Sequence, residues 1–516
     1  MPRGRAGMVW RTLLAAIIIA GCSAGAVATA GLLQVNTVVG DISVNPGIRS
    51  KQLTLPKAGK PETLLVIGSD HRYGESFHDS NTDTMLLVRL NAASSTINVL
   101  SIPRDLEVDI PGYGTNKINA AYSLGGYSLL LKTIKAHVFP HLQVNHIIDT
   151  NFTGFSDIVD AIGCVYSDVD HRYYNISQPY PSPDNYSSID IQPGYQRLCG
   201  HNQSIHGALP FVRFRHTDSD FVREARQQDF IRWAKQGYPL SRLVHDRDRL
   251  LKILGNNSTF DKNLQSTSAL IDLFNLVLNA DGSTLNQIKF PGTPTEDGDV
   301  DYVVPTSSDA VKQAFHQFMH PVKASKPKST PSSSSGHAKR HGHHAHHGLN
   351  TSGLTPDPLD GIAQAKALSH PGMPVYYPRL IATTSDYCSS VTGNCNNIDE
   401  PSTAYEHSYP RQYLIPTQAG HKVHAYRLTI DISSVQGQYY GIQGVRWKNP
   451  PLLHDPSATQ TVHGRELFIY KDDGGHITTV AWHKGPDSYW VSNDLTSDLP
   501  NSQMIAIAAS MVRYRG

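Results

Sequence analysis

Residues 62–105 read ETLLVIGSDHRYGESFHDSNTDTMLLVRLNAASSTINVLSIPRD. Three short apolar runs lie in this stretch: Leu64–Ile67 closed by Gly68, Met85–Leu90, and Ile97–Ile102. Runs this short, rich in aliphatic and β-branched residues, predict strands partly buried on both faces. Working outward, Leu129–Phe139 follows Gly125-Gly126 and predicts a helix, and Ile147-Ile148 a short strand. Phe152, Phe155, Val159 and Ile162 recur at helical spacing, and Gly163 supplies the stop. A further helix is expected over Ser268–Leu278. Strands alternating with helices predict an α/β domain of mixed α-β-α layering, spanning residues 62–321.

The flanks differ in character. Residues 1–11 carry Arg3, Arg5 and Arg11, and Thr12–Leu33 runs without a charge. At helical rise that run spans about 33 Å, enough for a bilayer core. The arginines before it place residues 1–11 in the cytoplasm and everything after residue 33 outside. A cleaved signal peptide and a lipobox at Ile19-Ala20-Gly21-Cys22 are the alternatives, but the apolar run continues past Cys22 and favours an uncleaved single-pass anchor. Residues 34–61 are expected to form a stalk. Residues 322–358, rich in Pro, Ser and His, cannot supply a core and are expected to be a disordered linker. Its six histidines from His337 to His347 could hold Zn²⁺ or Ni²⁺ loosely or respond to pH against an anionic wall; a solvated linker is the plainer reading.

Folded composition resumes over residues 359–516. Val423–Ile432, Leu467–Tyr470, Ile477–Trp482 and Ser488–Val491 predict antiparallel strands, and Met504, Ile505, Ala508, Met511 and Val512 form a helical stripe. A smaller C-terminal α+β domain follows from this pattern. Its strand aromatics Trp482, Tyr489 and Trp490 read as core, with glycan binding or regulation as the functional alternative.

Composition narrows the function. Lys+Arg is 45 and Asp+Glu 44, so the chain carries a formal +1 and has no basic coat to hold nucleic acid. The chain is not strongly acidic either, which excludes a self-repelling disordered polymer. Cys22 lies in the apolar run, and four cysteines remain outside it. An even number in an exported region fits disulfides, Cys388 with Cys395 across a hairpin-sized loop and, by elimination, Cys164 with Cys199. Free buried thiols are the alternative, and neither pair has zinc-site spacing.

Polar residues gather where the apolar strands end. Ser69-Asp70-His71-Arg72 follows the first strand, Asp83-Thr84 precedes the second, and Ser101-Ile102-Pro103-Arg104-Asp105 follows the third. Lys117-Ile118-Asn119, Arg213-Phe214-Arg215 and Arg223–Gln228 come later. Ligands of open α/β sheets bind beyond the strand ends. Guanidinium forks match phosphate oxygens, and two carboxylates among many cations suit a hard divalent ion shared with phosphates. Arg223 and Gln227, four apart, would share a helix face. A diphosphate site is the functional reading; surface ion pairs are the bland one.

The segments TLLVIGSDHR, TDTMLLV, SIPRDLEVDIPGYGTNKINAAYSLGG and ALPFVRFRHTDSDFVREARQQ resemble, in order and spacing, the motif series of the LytR-CpsA-Psr family. The resemblance covers about residues 62–321. It implies an α-β-α sandwich with an apolar tunnel for a prenyl chain. It also implies an extracytoplasmic phosphotransferase that moves a glycopolymer from a polyprenyl-diphosphate carrier to peptidoglycan. By position, Asp70 and Asp83 would hold Mg²⁺, or Mn²⁺ in its place. Arg72, Arg104, Lys117, Arg213, Arg215, Arg223 and Gln227 would contact phosphates. Asp105 would either orient Arg104 or assist in proton removal. Asn81 departs from the family pattern, which commonly has Arg there, and one diphosphate contact is thereby in question. The C-terminal region also lacks the V-x-V-L-N-G pattern of the module often appended to the family.

The mechanism expected is in-line displacement by an acceptor hydroxyl, with no cysteine or serine nucleophile; Ser69 and Ser101 read as structural hydroxyls. A polyprenyl-diphosphate hydrolase and a non-catalytic wall-binding or regulatory protein are the competing readings. A DNA-binding role is disfavoured, since no helix-turn-helix pattern or basic patch occurs.

Overall fold

The protein is described from a computed structural model, which places residues 43–44, 52–57, 59–69, 82–176, 188–200, 205–214, 218–264, 266–280, 285–297, 300–320, 349–368, 371–390, 395, 408–472 and 474–516. The Thr12–Leu33 run, the histidine cluster 337–347, and Asp70, His71, Arg72, Asn81 and Arg215 lie outside the described residues. Among the described residues no helix is long and apolar enough to cross a membrane.

Seven strands form the first sheet: β1 (Ser43–Val44), β2 (Glu62–Ser69), β3 (Thr82–Asn91), β4 (Thr96–Ser101), β5 (His146–Thr150), β6 (Ser258–Phe260) and β7 (Leu285–Ile288). Their order is β1-β6-β5-β2-β3-β4-β7. β3 runs antiparallel to both β2 and β4, whereas β5 is parallel to β2 and β7 parallel to β4. The sheet is therefore mixed. Because β3 is reversed, its first residues lie beside the last residues of β2 and β4, with Gly68 opposite Thr84 and Ser101 opposite Leu86.

The apolar runs are continuous because both faces of these strands are covered. Leu65, Ile67, Met85, Leu87, Leu100 and Ile102 face one side, against Leu130 and Leu131 of helix α1 (Ala120–Thr133), the π turn after it, and Phe318 of the helix Ser308–Met319. Leu64 and Leu90, with Val66, Val88 and Ile97, face the other side, against Leu273, Leu276 and Val277 of the helix Thr267–Ala280. Each Leu or Ile so buried contributes about 1.5–3 kcal/mol. α1 begins at Ala120, earlier than the expected Leu129, and is kinked where Gly125 and Gly126 leave helical geometry. Gly126 adopts φ +61°, open to glycine without strain. The helix Phe152–Ala161 is capped by Asn151, whose side chain accepts from Gly154 N at 2.8 Å, and Gly163 follows it with φ +86°.

The C-terminal half builds an eight-stranded antiparallel sheet in which Lys422–Ser433, Gln438–Val445, Asp487–Ser492, Ile477–Lys484 and Arg465–Lys471 are successive neighbours. One face packs Leu467, Val480, Trp482, Tyr489 and Val491 against Met504, Ile507 and Ala508 of the helix Asn501–Ser510. The other face carries Ala425, Val445, Tyr470, Ala481 and Trp490 into one continuous core with Val165, Tyr166, Val169, Tyr195, Phe211 and Trp233.

Three expectations change here. The C-terminal part is no independent module on a linker, since it shares a buried core with the first domain. Its start lies before residue 359: Leu354–Pro356 pairs with Leu380–Ala382, and a helix runs over Pro358–Ala367. Part of the expected stalk also belongs to the fold, because β1 pairs with β6 and Leu53 is buried in the main core. Cys164 is joined to Cys199, and Cys388 to Cys395.

Candidate functional site

The site is organised around Asp83, the second residue of β3. Arg104 Nη1 lies 2.6 Å from its Oδ1 and Arg213 Nη2 3.2 Å from its Oδ2. Arg104 comes from the turn after β4, where Ile102 N donates to Met85 O and Leu106 N to Pro103 O. Arg213 ends the helix Ala208–Arg213, and its guanidinium lies over the Phe152 ring, 4.0 Å from the centroid. That ring contact restrains the fork in place. Burial pushes the Asp83 carboxyl up, but the charges of Arg213, Arg104 and Arg223 outweigh it and hold the group below its usual value. Asp83 is therefore an ionised carboxylate inside a cationic ring.

Asp105 is buried beside this centre. Its Oδ1 takes Lys117 Nζ at 2.8 Å and its Oδ2 faces Arg104 Nε at 3.4 Å. Lys117 is placed by a two-stranded ribbon, Glu107–Ile110 with Gly114–Lys117, in which Glu107 pairs with Lys117. Both oxygens of Asp105 thus serve cations, the geometry of an orienting carboxylate.

Helix α2 (Asp220–Gly237) ties these pieces together. Gln227 Nε2 donates to Thr84 Oγ1 at 3.0 Å and to Val212 O at 3.1 Å, and Gln228 Nε2 to Ser101 Oγ at 2.8 Å. Arg226 is fully buried and binds Asp218 Oδ2 at 2.5 Å and Phe214 O at 2.6 Å, with Tyr173, Phe211 and Phe214 around it. Three consecutive residues, pointing to different sides of the helix, therefore fix the start of β3, the end of β4 and the segment leading to Asp218. The Gln227 amide donates to protein groups rather than standing open to a ligand. Arg223 is buried, and its charge reaches Asp83.

The sequence reading passes over Asp149. It ends the apolar stretch of β5 and is buried, accepting from Ser69 Oγ at 2.8 Å, Tyr122 OH at 2.8 Å and Tyr127 OH at 2.6 Å. Burial and the Asp149 charge push both tyrosines well above their ordinary value, so both stay protonated donors. Asp149 thereby fixes the last residue of β2. Its signal was the one that marks Asp83, a carboxylate at the polar end of an apolar strand. Ser69 and Ser101 both spend their hydroxyls on protein partners.

Of the residues expected at the site, the structure brings together Asp83, Arg104, Asp105, Lys117, Arg213 and Arg223, with Gln227 behind them. Asp70, Arg72 and Arg215 lie outside the described residues. A divalent ion that takes one or two carboxylates plus phosphate oxygens finds in Asp83 a suitable hard, ionised ligand. Among the described residues the one cluster with metal-ligand spacing is Asp160, Cys164 and Cys199, and its two cysteines are consumed by their disulfide.

Comparison with known proteins gives the same region a lineage. The chain is 31% identical over 225 residues to the polyisoprenyl-teichoic acid–peptidoglycan teichoic acid transferase TagT of Bacillus subtilis, covering 42% of this chain and 66%, just under two thirds, of that relative. It is 30% identical over 264 residues to TagU of Bacillus anthracis, named for the same transfer, covering 49% of this chain and 76% of that one. A solved structure, the LytR-CPS2A-psr family protein YwtF (TagT) with bound octaprenyl pyrophosphate lipid, aligns with 22% identity and a TM-score of 0.37, over 54% of this chain and 98% of its own. The LytR_cpsA_psr family model matches residues 34–317, more than half of the chain, and the chain belongs to that family.

Proposed function

We propose that the protein is an extracytoplasmic phosphotransferase that moves a glycopolymer from a polyprenyl-diphosphate carrier to a peptidoglycan hydroxyl. The observation that carries this reading is the Asp83 carboxylate set among Arg104, Arg213 and Arg223, with Lys117 and Asp105 alongside, at the ends of β2 and β4. Relatives named for transfer of teichoic acid to peptidoglycan support it.

In the proposed reaction an acceptor hydroxyl attacks the phosphorus nearer the glycan. One P–O bond forms, the P–O bond to polyprenyl phosphate breaks, and the departing polyprenyl phosphate takes up the hydroxyl proton. Arg104, Arg213 and Arg223 would stabilise the charge that grows on the equatorial and leaving oxygens. Asp105 orients Arg104 and Lys117. Mg²⁺, held by Asp83 and Asp70, would supply Lewis-acid polarisation of the phosphates. The prenyl chain would lie on the α/β face covered by the helix Thr267–Ala280, where Val66, Val88, Ile97, Leu273 and Val277 are only partly covered. Thr12–Leu33 would anchor the protein with this site outside the cell membrane.

The test is to purify the full chain in detergent and search it by mass spectrometry for polyprenyl phosphate or diphosphate. A bound lipid, followed by turnover only when peptidoglycan is added, supports the transferase. Release of product with water alone would replace it with the hydrolase. Neither lipid nor turnover would leave a wall-binding scaffold.

A further inference from the structure

Just after the strand Val165–Val169 the chain buries a histidine that the proposed reaction does not use. His171 Nδ1 lies 3.3 Å from Asp170 Oδ2, and its Nε2 lies 4.0 Å from Asp218 Oδ1. Its ring touches two tyrosine rings, each with its centroid 4.2 Å away: Tyr173, and Tyr439 of the C-terminal strand Gln438–Val445. Asp218 is paired in turn with Arg226.

Charge explains the grouping. Asp170 and Asp218 are buried carboxylates, and buried Arg226 offsets only one of them. The sum reaches zero when His171 carries a proton. Burial alone would strip that proton, but the charges of Asp170 and Asp218 outweigh it and hold the His171 pKa above its ordinary value. Burial pushes the Asp218 carboxyl up against the pull of Arg226 and His171, so its ionisation depends on both cations. The other titratable groups around His171 are Tyr173, Tyr439 and half-buried Asp431. Tyr173 OH donates to Asp170 Oδ1 at 2.6 Å, and burial pushes both tyrosines up, so they stay protonated. A buried charge stripped of its counter-charge is strongly destabilising.

The cluster reaches the arginine ring by a short path. Arg226 Nη2 donates at 2.6 Å to the carbonyl of Phe214, the residue after Arg213. Phe211 and Phe214 pack edge-on against Tyr173, with centroids 5.2 and 5.0 Å away. Arg226 also follows Arg223 by three residues on α2. The C-terminal sheet covers the other side. A Cβ added at Gly437, where φ is +71°, would stand 2.5 Å from Asp218 Oδ1, so glycine is what lets that turn come so close. Thr429 Oγ1 donates to Asp170 O at 3.2 Å.

We propose that His171 is a positioning residue: with Arg226 it neutralises Asp170 and Asp218, and so holds Arg213 and Arg223 in place around Asp83, under a wall supplied by the C-terminal sheet. The C-terminal half then serves the site as a support. The effect on ligand binding rests on the diphosphate reading of that site, whereas the positioning itself does not.

The test compares the full chain in detergent with two variants. His171→Gln removes the charge. His171→Gln with Asp170→Asn removes one charge of each sign and keeps the Asp218–Arg226 pair. Two readouts are taken at about pH 7, where a raised pKa keeps His171 protonated: amide hydrogen exchange over residues 208–214, and calorimetric titration with inorganic diphosphate. His171→Gln should speed exchange there about tenfold, with little change in the helix Asn501–Ser510, and weaken diphosphate binding about tenfold; the double variant should return both to within about threefold of the parent. A side chain that only fills space would give losses that add. Additive losses overturn the proposal, as do parent-like exchange or parent-like diphosphate affinity in His171→Gln. A double variant that fails to fold also overturns it. If His171→Gln alone fails to fold, a folded double variant with parent-like exchange supports the proposal. A parent that binds no diphosphate, with exchange responding as expected, supports the positioning and counts against the site reading alone.

Discussion

Replacing Arg104 with Gln removes a positive charge 2.6 Å from Asp83 and 3.4 Å from Asp105 while keeping much of the side chain's bulk. The Arg104 and Asp83 side chains are 20% and 17% exposed. At an effective dielectric near 20, a charge pair at about 4 Å is worth about 4 kcal/mol. Arg213 and Arg223 remain, so a charge growing on a phosphoryl oxygen keeps part of its stabilisation. The loss expected is that of one preorganised donor, about 2.7–4 kcal/mol, or 10²- to 10³-fold in kcat. Stability should respond far less, because a partly exposed ion pair contributes about 1 kcal/mol or less. The Asp83 carboxyl should also rise, since one of the charges holding it down is gone, and the acid limb of the pH–rate profile should move to higher pH. The assay is steady-state phosphotransfer across pH with lipid-linked substrate, alongside a thermal melt. A kcat within about threefold of the parent, with an unmoved acid limb, would refute the catalytic assignment. A melting temperature lowered by more than about 8 °C would show that the pair holds the fold instead.

Other consequences follow from the packing. His146 is buried between Asp261 Oδ2 at 3.2 Å and Glu62 Oε2 at 3.5 Å; burial lowers its pKa, but these two carboxylates win and raise it to about 9. A raised folded-state value means the stabilisation, about 3 kcal/mol, is complete below about pH 6.5 and is lost as pH rises through about 9. Denaturant midpoints should therefore fall between pH 6.5 and 9.5, and His146→Gln should flatten that slope; equal slopes would reject the ion-pair account. Asp168→Ala strands Arg427, paired with it at 3.0 Å, and removes the acceptor of Trp490 Nε1 at 2.9 Å. An uncompensated buried charge costs about 3–5 kcal/mol, so chemical denaturation should show that loss, and a cost under about 1 kcal/mol would mean the domains are not locked there. At Gly200 an added Cβ would stand 1.7 Å from Ser156 O, so Gly200→Ala should destabilise by about 3 kcal/mol in the same assay or fail to fold, and parent-like stability would contradict that packing.

Much of the central sheet was legible because its strands are apolar on both faces, so short unbroken runs mark β2, β3 and β4 directly. The polar endings that mark the site were legible for the same reason: a carboxylate where such a run stops has no core to enter. Pairings across long sequence gaps were not. Arg213 meets Asp83 across 130 residues, and Arg427 meets Asp168 across 259, joined by folding rather than by any local pattern. The domain boundary shows how one composition serves two roles. Asp357 and Pro358 read as linker chemistry beside a Ser- and His-rich tract, yet Asp357 accepts from Asp360 N and Pro358 occupies the first turn, a helix start. Trp490 reads as core, which it is, but the core it joins includes the other domain.

The central claim is best tested by transfer itself. The full chain in detergent is given a polyprenyl-diphosphate-linked glycopolymer labelled in the sugar, together with Mg²⁺ and peptidoglycan. The account predicts label covalently joined to peptidoglycan through a phosphodiester and equimolar polyprenyl phosphate, both abolished by Asp83→Asn. Label released only as free glycopolymer phosphate, or transferred equally well by Asp83→Asn, would contradict it.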